Sequence, residues 1–127
     1  MKKSCFAAPV LLALAGCAGT VDYDTKARAQ APIVCSGAEQ CGKLWDGAQV
    51  WLAQNGAYKI QSVSSSVIQT YGPTRNSPQL AYTVIKEPGP YGTHTIKMAA
   101  TCDNMFGCQP NAFIAIANFK DYLLALP

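Results

Sequence analysis

The chain has 127 residues, six cysteines and a net charge of +3. That length suits one domain. No Lys/Arg run follows residue 17, which excludes nucleic-acid binding and polybasic membrane contact as roles of the domain.

The chain opens with Lys2 and Lys3, a short apolar run from Phe6 to Leu14 broken by Pro9, and the small residues Ala15 and Gly16. This is the order of a secretory leader. The run is too short to span a bilayer, which takes about 20 residues. Leu14-Ala15-Gly16-Cys17 resembles the lipobox of bacterial lipoproteins. The resemblance implies a diacylglycerol on Cys17 and cleavage just before it, so residues 1–16 are a signal peptide. The competing reading is an ordinary secretory cut at Ala13-Leu14-Ala15, which leaves Cys17 as a free thiol. In such lipoproteins an aspartate after the cysteine favours inner-membrane retention. Here that residue is Ala18, so the resemblance implies an outer-membrane anchor with the domain facing the periplasm. Several acyl chains, at about 0.8 kcal/mol per buried methylene, hold a protein permanently where one chain is marginal. Loss of Lys2 and Lys3 leaves eight basic residues against seven acidic ones, a charge of +1.

Residues 18–32, AGTVDYDTKARAQAP, are small and polar and lack apolar periodicity. With the lipidated Cys17 they read as a flexible tether over 17–32, closed by Pro32. As a random coil it holds the domain roughly 20 Å from the anchor. Tyr23 is the one aromatic here and a candidate to rest on lipid headgroups.

Residues 33–127 read as a small α+β domain. Ser36-Gly37-Ala38-Glu39 fits a capping box. After it Cys41, Leu44, Trp45, Ala48, Trp51 and Leu52 recur at threes and fours, which predicts a helix over 37–54, stopped by a left-handed Gly56. Residues 57–71 are rich in β-branched side chains and predict one long strand. Its alternation changes phase at Ser64-Ser65-Ser66, where a bulge would restore a single buried face. Strands over 80–86 and 93–101 follow, separated by the hairpin loop Glu87–Gly92. The polar alternate positions of the last strand predict a sheet with one wet side. Pro110 suits a first helical turn and Asn111 its cap. Phe113, Ile116, Phe119, Leu123 and Leu126 then form a stripe, with Lys120 and Asp121 turned outward. The predicted fold is two-layer: helix, three-stranded antiparallel meander and helix (α-β-β-β-α), with both helices on one face and disulfides as staples.

Cys5 leaves with the leader and Cys17 takes the lipid. Cys35, Cys41, Cys102 and Cys108 remain, an even number in an oxidising compartment. Three pairings are open. Chain entropy favours long-range links, with roughly 4.4 kcal/mol for a loop near 70 residues against roughly 2.4 for a loop of seven. Geometry favours local ones: Cys35 precedes the helix cap with Cys41 one turn beyond it, and the second pair brackets a turn-like loop. Local pairing is the preferred reading. The spacing of five residues between cysteines is not the usual one for zinc, so no metal site is expected.

Familiar catalytic signatures are missing. There is no Gly-x-Ser-x-Gly elbow, His-Glu-x-x-His or phosphate loop, and the acids are scattered. His94, the one histidine, sits on a strand. Trp45 and Trp51 are candidates to stack on a glycan, but their stripe positions favour the core. Met105-Phe106, in a loop that a disulfide would hold rigid, is a candidate interaction site for a partner or a membrane. The weightier reading has Phe106 folded back onto the core. These residues point to no catalytic site and no cofactor, and to a structural or protein-binding role in the envelope. A partner would dock on an edge strand or on the 102–108 loop. The rival is a small-molecule or glycan binder, or an inhibitor of a cell-wall hydrolase, marked by a pocket lined by Trp51, Tyr58 or Tyr82. A cleft gathering His94 with an acid and a hydroxyl would mark an enzyme.

Overall fold

The computed structural model describes residues 20–127. The expected signal peptide and the expected lipidation site at Cys17 lie outside the described residues. The chain is α+β, as expected, but its sheet has five strands. The order is α1 (Tyr23–Gln30), β1 (Ile33–Ser36), α2 (Gly37–Asn55), β2 (Ile60–Val63), β3 (Val67–Thr70), β4 (Ala81–Pro88), β5 (Thr93–Thr101) and α3 (Ala112–Leu124). In space the strands run β1-β5-β4-β3-β2, and every neighbouring pair is antiparallel.

Two differences from the expected meander account for the extra strands. The segment expected as one long strand turns back on itself at Ser64–Ser66, so the change of phase marks a hairpin rather than a bulge. Ser64 builds the turn: its hydroxyl accepts from the Val67 amide at 3.0 Å and its own amide donates to the Val67 carbonyl at 2.8 Å. A register irregularity does occur, but earlier, between Ile60 and Ser62. The other addition is β1, which pairs with β5 from Ile33↔Ile96 to Ser36↔Thr93. Four residues directly before a helix give too little alternation to reveal a strand.

The strand-to-helix junction also departs from the capping box. Ser36 makes no side-chain cap bond; instead Gln40 Oε1 accepts from the Ser36 amide at 2.7 Å. Gly37, at φ +79°, makes the left-handed corner that a β-carbon would disfavour. At the far end Gly56 is extended, with φ −73°. It is needed for space: a β-carbon there would lie 2.6 Å from the Leu52 carbonyl oxygen.

One face of the sheet carries Ile33, Cys35, Ile68, Tyr82, Val84, Ile96 and Met98 into the core. The α2 stripe packs on it as expected, with Cys41, Leu44, Trp45, Ala48, Trp51 and Leu52 all buried. Trp51 sits edge-on to Tyr82 at 5.6 Å and to Phe119 of α3 at 5.4 Å. Full burial of such a side chain contributes about 1.5–3 kcal/mol, so this aromatic trio is the centre of the fold. Trp45 donates its indole N–H to the Ser64 carbonyl at 3.0 Å, tying the hairpin turn to α2. Asn111 caps α3 by accepting from the Phe113 amide at 2.9 Å, and Pro110 precedes the cap instead of lying in the first turn.

The largest correction concerns the expected tether. Residues 23–30 form a helix docked along α3. Asp22 caps it, its carboxylate accepting from the Thr25 amide at 2.7 Å. That bond is the main reason the Asp22 carboxyl is held below its ordinary value. Thr25 and Ala29 are buried. Arg28 reaches Asp24 at 3.2 Å and pairs with Asp121 of α3. Lys120, expected to face outward, is buried. Its ammonium donates to the carbonyl oxygens of Ala29, at 2.6 Å, and Ala31, where it neutralises the negative end of the α1 dipole. Burial holds its pKa below the ordinary lysine value. Among the described residues no helix is long and apolar enough to cross a membrane.

Candidate functional site

The cysteines pair locally. Cys35–Cys41 joins the end of β1 to the first turns of α2, with α-carbons 5.2 Å apart; Cys102–Cys108 closes the loop between β5 and α3 at 5.7 Å. Both pairs lie beside the core cluster. The first bond anchors the strand-to-helix corner; the second shapes a protruding loop.

That loop carries the sharpest candidate. Met105 is 88% exposed and Phe106 92% exposed, so Phe106 does not fold back onto the core. The reason is local. Asn104 Oδ1 accepts from the Phe106 amide at 2.9 Å, and the Asn104 carbonyl from the Gly107 amide at 3.2 Å. This tight turn points both side chains away from the domain. Two further bonds fix the loop to its surroundings. Asn104 Nδ2 donates to the Asn76 carbonyl at 3.0 Å, and the Gln109 amide to the Pro78 carbonyl at 2.8 Å. An apolar tip held this way loses little conformational freedom on binding.

Behind the tip lies an open cavity of about 420 Å³ lined by Thr20, Val21, Phe106, Asn111 and Ile114, among others. The start of the described chain therefore meets the 102–108 loop. Tyr23, 88% exposed, follows in the first turn of α1. Phe113, expected on the core stripe, is exposed at the start of α3, as is its neighbour Ile114. The Lys26 ammonium stands 5.8 Å from the centre of the Phe113 ring. One end of the molecule thus gathers Tyr23, Met105, Phe106, Phe113 and Ile114. Sequence reading had Tyr23 and the Met105-Phe106 pair, but the docking of α1 beside α3 is what places them together.

His94 is half-buried, and its Nδ1 lies 3.8 Å from Cys41 Sγ. The ligand-type atoms of Cys35, Cys41 and His94 fall within 4.8 Å of one another, a grouping the sequence does not reveal because β1 had not been read as a strand. Bonded to each other, the two sulfurs offer no thiolate to a metal. Trp51 and Tyr82 are core residues, and Trp45 is buried with the Lys86 ammonium 4.9 Å from its ring. Of the side chains expected to mark a ligand pocket, Tyr58 lines an open cavity of about 260 Å³ shared with Ala53, Gly56 and Ile60. Its hydroxyl accepts from the Thr74 amide at 2.9 Å. Hydrogen bonds from Ser77 and Thr74 hold that phenol below its ordinary pKa.

The second face of the sheet is the wet side that alternation predicts. Val67 pairs with Ile85, Ile85 with Lys97 and Val34 with Thr95. Val34 and Ile85 are exposed, and Lys97 bridges to Glu87 at 2.7 Å. Comparison with family models, with curated proteins and with solved structures returns no match.

Proposed function

We propose that this chain is a lipid-anchored protein of the bacterial cell envelope, held at the outer membrane through Cys17, with a non-enzymatic structural or protein-binding role in the periplasm. The lipobox resemblance supports the anchor. Two disulfides in so small a domain support an oxidising compartment. The observation that carries the binding role is the half-covered sheet: helices pack on one face only, and the other presents Val34, Val67 and Ile85 among threonines and one ion pair. An exposed β-branched surface of this kind supports a protein partner over a small ligand, which needs a concave pocket.

Site-specific photo-crosslinking in intact cells tests this role. A photoreactive residue replacing Ile85 should give one discrete protein adduct. The same residue replacing Glu39, exposed on α2, should not. Equal adducts at both positions, or none at Ile85, would contradict a docking role for the open face.

A further inference from the structure

We infer that the Cys102–Cys108 loop is a second membrane contact, with Met105 and Phe106 seated at the boundary between headgroups and acyl chains of the bilayer that holds the anchor. The inference rests on the lipid-anchor reading and extends it from one point of attachment to two. The first argument is distance. Only three residue steps separate Cys17 from Thr20, a span of at most about 11 Å even fully extended. Thr20 and Phe106 line the same cavity. An acylated Cys17 therefore brings the lipid surface to the end of the domain where the loop protrudes. The expected tether would have left the domain free to turn in any direction. Because α1 is docked from Asp22 onward, only a short stretch of chain separates the anchor from this end, which keeps it close to the bilayer.

The chemistry of this end fits a lipid surface. Its loop tip carries a phenylalanine and a methionine, both almost fully exposed, and Tyr23, two residues after the cavity-lining Val21, is exposed at the start of α1. Aromatic rings with one polar edge favour the headgroup level. Lys26 lies against the Phe113 ring, where its stem can lie along apolar surface while the ammonium meets phosphate. The acidic Asp22, Asp24 and Asp103 outnumber the basic Lys26 and Arg75 in the segments that form this end, so no excess of positive charge draws it to anionic lipid and the contact is hydrophobic. The loop needs no ordering on insertion: the disulfide, the Asn104 turn and the bond to Asn76 hold it.

The test uses the lipidated full chain in phosphatidylcholine vesicles, with Phe106→Trp as the probe and Tyr91→Trp as its reference. Tyr91 is fully exposed at the β4–β5 turn, at the other end of β5 from the loop. Lipids brominated on their acyl chains should quench the added fluorescence of Phe106→Trp about twofold, as expected at a burial of about 5–10 Å, and leave that of Tyr91→Trp unchanged. Equal, weak quenching at both positions in a chain whose mass shows the lipid overturns the loop contact alone. A mature chain whose mass shows no lipid overturns the anchor, and this inference with it.

Discussion

Trp45 shows how one side chain joins two elements here. Its ring fills the core under Lys86, and its N–H satisfies the Ser64 carbonyl at the turn between β2 and β3. Trp45→Phe keeps most of the apolar volume and deletes the donor. Ser64 is exposed, so water can replace the lost donor and the cost is the net worth of one hydrogen bond, about 0.5–1.5 kcal/mol. Urea unfolding of the variant should therefore show a lower midpoint with an unchanged slope. A midpoint within error of the parent would mean that the indole bond contributes nothing. Residue types alone placed Trp45, Trp51 and the four cysteines correctly, because stripe spacing and an even cysteine count are local signals. The exposure of Phe106 was not legible. It depends on a turn made by Asn104 and on a carbonyl from Asn76, 28 positions away.

At the scale of elements, α2 and β5 were legible to within a residue because each follows a clean period, 3.6 or 2. The helix α1 was missed for a physical reason. Its interface is made of Thr25 and Ala29, one ion pair and a lysine from another helix, so it shows almost no apolar pattern. Propensity did point to a helix, since Ala, Lys, Arg and Gln dominate 26–30, yet eight residues cannot hold a helix alone. Lys120 makes the difference. Replacing it by methionine keeps the packing stem and removes both donors to Ala29 and Ala31, a loss of about 1–3 kcal/mol. Lys120→Met should raise hydrogen exchange at the amides of α1 well above any change in α2. Unaltered protection of α1 would show that Thr25, Ala29 and Arg28 suffice to dock it.

For the whole molecule, the docked α1 changes what an anchor at Cys17 does. A random-coil tether gives a domain that roams; under the proposed anchoring, the four residues between Cys17 and the Asp22 cap keep the 102–108 loop close to the lipid. Under the proposed anchoring, the uncovered face of the antiparallel sheet is the surface offered for docking. That placement was not legible in the sequence, because it follows from which helix α1 packs on. All of it depends on the lipid, so the most direct measurement is the intact mass of the mature chain purified from the membrane fraction of its source organism. The account predicts a chain that begins at Cys17 and carries a diacylglycerol, and a Cys17→Ser variant that accumulates as the uncut precursor. A mature chain without lipid, or normal processing of Cys17→Ser, would contradict it.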